Sequence, residues 1–480
     1  MRRFQISLFS LVFIQFGYCH NSTIKARLNK GFFDFFSKAG HKVVDEEIPK
    51  INFPTIHTPI EASVIQGNIS LQNLNIAKFK TPKIAFDLTD FGISWKSHAG
   101  SFDIEGDWEA HYYLTFLPFW QKQHGWVNAI ASGIRVNLSA TAFVVDHKPQ
   151  VKIGDCTADV DNLKIRIGGG FLPFIEDLFI PLINSVIKKA IHEQACETAK
   201  NVLIIEFNDF LHSLPSRVPI GNDFFILYSF ASNPKSTSSY FEGEGIVNVV
   251  YGNMTCIPER QKDWNDAGPN PRMVTAWLSE SIANCLLTSA HKGNLTHFLI
   301  DKNTQEVARY LRTSCGIIDI CMGKFFSQLK KMYPNQYVDL NFRTYSPPFM
   351  VLKNGTVTAN FTFAVDFHIN PMAKNKKPLA RLIIETSSTI HPYLSGTRIY
   401  GELGNMTSSL SEDFSTIGHM SSLFLKAFQE VFSVSTRLAI NAVIKKGLPI
   451  PIYDNVTIAG TSQIDIFEKF ARLNIDFAEH

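Results

Sequence analysis

INSVIKK at Ile183–Lys189 and INAVIKK at Ile440–Lys446 are nearly the same seven residues, 257 positions apart. Each sits in a long apolar stretch: FLPFIEDLFIPLINSVIKKAIHEQAC in the first half, SLFLKAFQEVFSVSTRLAINAVIKK in the second. In the first, Phe174, Leu178, Pro181, Leu182, Ser185, Val186 and Ile187 predict a long helix that can kink at Pro181. In the second, Gly447, Pro449 and Pro451 stop the helix. Lys188 and Lys189 follow the apolar positions of the first as a solvated helix face, with a ligand-binding role as the alternative.

The surroundings repeat as well. Ahead of the first long helix, Ile134, Val136, Leu138, Ala140, Ala142 and Val144 alternate with polar or small residues, which predicts a strand with one buried face. Ahead of the second, Val357, Ala359, Phe361, Phe363, Val365 and Phe367 do the same. Each half opens on a helix candidate: Ile24 to Val44, with Ile24, Leu28, Phe32, Phe35, Phe36, Ala39 and Val43 on one face, and MVTAWLSESIANCLLTSAHKG from Met273. Both halves thus follow one order of helix, many strands, long helix and closing strands. The chain is expected to be two copies of one α+β unit. The units are placed at residues 20–250 and 272–480, joined by the polar, turn-rich linker 251–271.

The first residues, MRRFQISLFSLVFIQFGYC, combine a basic start with a short apolar run and small residues. They are expected to form a secretory signal over 1–19 rather than a membrane span. Nine N-x-S/T sequons follow, at Asn21, Asn68, Asn137, Asn253, Asn294, Asn354, Asn360, Asn405 and Asn455, and suit a secreted glycoprotein. Six cysteines remain after the signal: Cys156, Cys196, Cys256, Cys285, Cys315 and Cys321. An even count in a secreted chain implies disulfides, with 15 possible pairings. The composition is 45% hydrophobic and 19% charged with a net charge of +3. No basic tract is present to meet nucleic acid. HEQAC lacks a second histidine at metalloprotease spacing, FEGEGIV lacks a dinucleotide fingerprint, and no nucleophile elbow or Walker loop occurs. The expectation is a non-enzyme with no cofactor and no metal.

Four features in this order resemble one known family. They are IKARLNKGFFDFFSKAG, followed by a proline-rich strand entry; GSFDIEGDWEAHYYL; the pair Cys156 and Cys196 bracketing the long helix; and MVTAWLSESIANCLLTSAHKG with KKGLPIPIYDNVTI in the second half. The chain resembles the bactericidal/permeability-increasing, lipopolysaccharide-binding and plasma lipid-transfer protein group. The resemblance implies an elongated boomerang of two twisted-sheet barrels, each wrapped by long helices and joined by a central β-sheet. It implies a phospholipid or related amphipathic lipid in an apolar tunnel in each half, and a Cys156–Cys196 disulfide. The pairing of Cys256, Cys285, Cys315 and Cys321 stays open, as does the oligomeric state.

Acyl chains need apolar contact and little directional bonding, so candidate tunnel residues are apolar ones on the helices. They are Ile24, Leu28, Phe32, Phe35, Phe36, Leu178, Leu182 and Val186 in the first half, and Leu278, Ile282, Leu425, Phe428, Phe432 and Ile440 in the second. The stretch Ser101–Gln150 carries three basic residues against five acidic ones, a poor match to an anionic microbial surface. Its aromatic residues, notably Trp108, Tyr113, Phe119 and Trp120, are candidates for a membrane-contacting tip on neutral or zwitterionic lipid. The leading expectation is a secreted lipid-binding glycoprotein that carries or transfers lipid. The alternatives are recognition of microbial envelope lipid in innate defence and a ligand-free interaction protein.

Overall fold

The computed structural model describes residues 22–479 apart from 51–52, 63, 118, 170–172, 202–204, 206, 214–215, 222, 262, 265–271, 306, 373–376 and 451–455. The expected signal 1–19 and the sequons at Asn21 and Asn455 lie outside the described residues.

The fold is α+β, with two curled antiparallel sheets on either side of a shared central one. The first sheet runs in the order Ile56–Ala62, Ile65–Lys80, Gly92–Leu114, Trp120–Val145, Lys148–Gly168, with Lys83–Thr89 also paired to Gly92–Leu114. The second runs Phe298–Ile300, Val338–Thr344, Thr356–Ile369, Ala380–Ser395, Arg398–Ser415, with Phe349–Lys353 also paired to Thr356–Ile369. The two match strand for strand, apart from the short Leu448–Pro449, which pairs with Arg398–Ser415 in the second sheet alone. The helices match too. Lys30–Glu47 packs on Lys83–Thr89 as Glu280–Lys292 packs on Phe349–Lys353, at equivalent places. Pro173–Asn201 lies over Lys148–Gly168 as Ser422–Ile444 lies over Arg398–Ser415, each helix covering the strand it follows. INSVIKK falls in the middle of the first of these helices and INAVIKK at the end of the second, so the repeat marks equivalent helices at different points along them.

The alternation in the sequence is visible in the burial. Ile134 and Leu138 are buried and Val136 and Ala140 half-buried, while Arg135, Asn137 and Ser139 are exposed. Strands in the first sheet are long: Gly92–Leu114 has 23 residues, roughly 75 Å measured along the strand. Ile183, Ile187 and Ile191 recur every four residues down the long helix and are buried against this sheet, with Ile104, Tyr112 and Val127 in the same core. Gly169, at φ +106°, gives the backbone the left-handed turn that ends the last strand before the helix. The Cys156–Cys196 disulfide then ties strand to helix.

The entry segments correct the sequence reading. Ile24–Asn29 and Val274–Ser279 are strands, and the helices begin only at Lys30 and Glu280. The two strands pair with each other, antiparallel, from Ile24↔Leu278 to Leu28↔Val274. Tyr240–Tyr251 flanks one side and Phe470–Ile475 the other, which puts the start of both halves in the middle of a nine-stranded central sheet. The i, i+4 spacing of Ile24, Leu28 and Phe32 suits a helix, but Ile24, Ala26 and Leu28 also alternate with Lys25 and Arg27. With a hydrogen-bonding partner on each edge, the extended form prevails. The second helix starts where the Ser279 side chain accepts a hydrogen bond from the Ser281 amide.

One face of the central sheet is apolar and the other charged. On the charged face Arg27 Nη2 lies 2.8 Å from Glu242, and the Lys25 ammonium sits 4.1 Å above the Trp277 ring, crossing from one half to the other. At the far edge Asp476 accepts from Arg272 at 2.6 Å, from the Met273 amide at 3.0 Å and from Thr461 at 2.9 Å. Burial opposes ionisation of this carboxyl, but the Met273 amide, the Arg272 guanidinium and the Thr461 hydroxyl together hold it below the usual carboxylate range. The segment after Tyr251 is partly tied down. Cys256 is bonded to Cys285, and Trp264 is buried with its ring 5.8 Å from that of Phe470. The third bridge joins Cys315 to Cys321.

Candidate functional site

Most of the candidate lipid-contact residues fall in four apolar clusters. Leu182 and Val186 are half-buried on the flank of the first long helix, beside the buried stripe of Ile183 and Ile187. Half-buried Leu163, Ile165 and Phe79 of the first sheet border the same core. In the second half Phe432 is buried, and half-buried Leu425 and Phe428 lie next to it among Phe342, Phe363 and Phe367. Ile440 is half-buried towards the end of that helix.

The remaining candidates belong to the junction of the halves. Leu28, Phe32 and Leu278 pack with Val274, Leu473 and Ile475, and the rings of Phe32 and Phe35 both lie 6.2 Å from that of Phe477. Ile24 and Ile282 pack with Ile226 and Val247 across the sheet. Ile24, Leu28 and Leu278 are strand residues, not helix residues, because the entry segments are extended. The side chains of Phe36 and Leu178 lie outside the described residues.

The aromatic tip also divides. Trp108 is 1% exposed and belongs to the core of the first sheet, so it cannot touch a membrane. Its indole N–H donates to the Gly168 carbonyl at 3.2 Å, and the residue opposite it is Gly125. A Cβ on Gly125 would come within 2.8 Å of that indole nitrogen, so the ring occupies the space a side chain there would need. The period-two pattern held this signal. Phe102, Ile104, Trp108, Ala110, Tyr112 and Leu114 share one face of their strand and all are buried. Phe119 and Trp120, by contrast, are 55% and 57% exposed at the turn after Leu114, with Phe116 and Val64 exposed beside them. Thr115 N–H donates to the Val64 carbonyl at 3.1 Å, closing this end of the sheet. The Trp120 ring lies 5.8 Å from half-buried Tyr113 and 5.0 Å from His111. A ring braced from one side and wet on the other suits a lipid–water boundary.

Six sequon asparagines, Asn68, Asn137, Asn253, Asn294, Asn354 and Asn405, are exposed, and Asn360 is half-buried on its strand. Among the described residues no three His, Cys, Asp or Glu side chains are grouped as metal ligands, and no helix is long and apolar enough to cross a membrane.

Comparison with known proteins gives this geometry a family. The model of the LBP / BPI / CETP family N-terminal domain matches residues 33–213, and that of the C-terminal domain matches residues 222–478. A bactericidal permeability-increasing protein of Sebastes schlegelii is 23% identical over 469 residues, covering 95% of each chain. Human lipopolysaccharide-binding protein is 20% identical over 453 residues, covering 91% of this chain and 89% of its own. The crystal structure of lipopolysaccharide binding protein superimposes with a TM-score of 0.60 at 18% identity, over 96% of this chain and 99% of that one. Both domain models match in order and meet near the strands that close the first half. This chain therefore belongs to the LBP/BPI/CETP family.

Proposed function

We propose that the protein is a secreted, non-catalytic glycoprotein that holds phospholipid-like amphipaths against the flanks of its two long helices. The observation that carries this reading is the half-exposed apolar surface beside each buried helix stripe. Half-buried Leu182 and Val186 border the first core, as half-buried Leu163 and Ile165 of the sheet do, and half-buried Leu425 and Phe428 border the second. Apolar surface left half-covered in a well-packed fold is surface that an acyl chain can complete, at about 25 cal/mol per Å² buried. Secretion is supported by the basic-apolar leader, the exposed sequons and three disulfides, which persist in oxidising compartments. In this reading the units are 20–250 and 272–480, and Phe119, Trp120 and Tyr113 form a membrane-contacting tip.

The test is native mass spectrometry of the secreted, deglycosylated protein, followed by organic extraction. One or two bound phospholipids are expected. The double variant Leu182→Trp/Val186→Trp fills the first flank and should lose one lipid equivalent while keeping its melting temperature. Protein that emerges lipid-free and takes up none from vesicles overturns the reading. The relatives named for lipopolysaccharide favour a second reading, in which the cargo is a microbial envelope lipid. Displacement of bound phospholipid by stoichiometric lipopolysaccharide would establish that one instead.

A further inference from the structure

Ile317 and Ile318 are 97% and 96% exposed, and Ile320 is exposed beside them. All three lie in CGIIDIC, the loop that the Cys315–Cys321 disulfide closes over a separation of six residues. An isoleucine pair so far out of the fold has no packing role in this chain. The loop is nonetheless firmly mounted. Cys321, Met322, Phe326 and Leu329, which follow it, are buried in the core of the second half. Lys324 Nζ donates to the Ile317 carbonyl at 2.6 Å, and Thr313 N–H donates to the Gln336 carbonyl at 2.9 Å behind the loop. A short, cross-linked loop presents its apolar side chains with little freedom left to lose on binding.

Its place in the fold is specific. At the far end of the first sheet, the connection after Ile56–Ala62 meets the connection after Gly92–Leu114, and there stand Val64, Phe116, Phe119 and Trp120. The equivalent connections of the second sheet follow Phe298–Ile300 and Thr356–Ile369. They too meet, where the Asn370 amide donates to the Tyr337 carbonyl at 2.9 Å, and the isoleucine loop belongs to the first of them. Both ends lie away from the central sheet, which instead meets the strands near Gly92 and Gly355. The two far ends thus carry exposed apolar groups of different chemistry, aromatic on one and aliphatic on the other.

Charge distinguishes them further. Between Arg309 and Lys331 the chain holds five basic residues, Arg309, Arg312, Lys324, Lys330 and Lys331, against the single acid Asp319. At the aromatic end Lys122 is paired with Glu109 at 3.0 Å. Apolar side chains that enter an acyl layer, with cations at the level of the phosphates, match the surface of an anionic phospholipid bilayer. We infer that the Cys315–Cys321 loop is a second lipid-surface docking point, inserting Ile317 and Ile318 into anionic membranes. The inference rests on the lipid-binding reading, and it adds a contact on the half of the chain opposite the aromatic tip.

The test uses the full-length secreted protein and flotation with vesicles of phosphatidylcholine alone or with phosphatidylserine. Ile317→Ser/Ile318→Ser should weaken association with the mixed vesicles by roughly tenfold per isoleucine. Lys330→Gln/Lys331→Gln should weaken it by about fivefold per lysine at low salt, with little effect on phosphatidylcholine alone. Bound-lipid content by native mass spectrometry, measured on the same variants, should not change. Unaltered vesicle binding with cargo retained overturns the docking loop and leaves the lipid-binding reading standing; loss of cargo in the parent protein would overturn that reading itself. A change in oligomeric state in the isoleucine variant, with vesicle binding intact, overturns the inference in favour of a contact between copies of this chain.

Discussion

Trp108 and Trp120 lie on neighbouring strands of one hairpin, and the structure gives them opposite roles that a pair of substitutions separates. Trp108→Ala removes a fully buried indole whose opposite residue, Gly125, has no side chain to collapse into the space. Truncating a buried tryptophan costs about 3–5 kcal/mol, and a poorly collapsible site lies towards the upper end. The Gly168 carbonyl also loses its indole donor, which adds about 1 kcal/mol. The expected loss is thus about 5–6 kcal/mol in the first half. That lowers the melting transition of this half by about 10–24 °C, taking 2–4 °C per kcal/mol for a unit of this size. Trp120→Ser, at a side chain more than half exposed, should stay within about 0.5 kcal/mol of the parent but weaken association with phosphatidylcholine vesicles roughly tenfold. Differential scanning calorimetry and vesicle flotation on the same preparations decide the matter. A Trp108→Ala loss below about 1 kcal/mol, or a Trp120→Ser variant that melts early and binds vesicles normally, would refute the assignment.

Two further outcomes follow from the junctions. The depressed pKa of Asp476 contributes stability that is present above the unfolded carboxyl value of about 4 and lost as pH falls through the folded value. Asp476→Asn should therefore flatten the acid limb of a stability–pH curve measured by urea unfolding, and an unchanged limb would exclude Asp476 as its source. Replacing both Cys156 and Cys196 by Ala frees a loop closed over 40 residues, and should cost about 4 kcal/mol by the chain-entropy relation; urea unfolding that shows no loss would refute loop closure in the unfolded chain as the bridge's contribution.

Much of the fold was legible because the two halves share one pattern, and a pattern met twice is harder to misread. The alternation from Ile134 to Val144 specified which face was buried, whereas the apolar run of the long helix specified a helix but not its buried stripe, which is Ile183, Ile187 and Ile191 rather than Leu182 and Val186. What misled were segments whose apolar spacing fits two conformations. IKARLN and VTAWLS read as helix starts because they run directly into helices; only partners far away in the chain, Tyr240–Tyr251 and Phe470–Ile475, make them strands. Trp108 was grouped with the exposed tip by composition, although its parity along the strand matches Ile104 and Tyr112. The isoleucine loop gave the sequence only a pair of closely spaced cysteines. Exposure depends on what the rest of the chain leaves uncovered, and no local pattern records that.

The interleaving of the central sheet has a consequence for how the chain is made. Ile24–Asn29 is made more than 200 residues ahead of its neighbours, Tyr240–Tyr251 and Val274–Ser279. At 5–20 residues per second the first of these emerges about 10–40 s later. Through that interval the strand has no permanent partner, and its unpaired amides and carbonyls are open to any extended peptide nearby. Lys25 and Arg27 lie on this strand, and like charge on an unpaired edge discourages a second nascent copy from pairing with it. A chain cut before Val274 never escapes this condition, since one edge of the strand then stays open for good. Phe470–Ile475 docks against Val274–Ser279, so the central sheet completes only once Ile475 has been made.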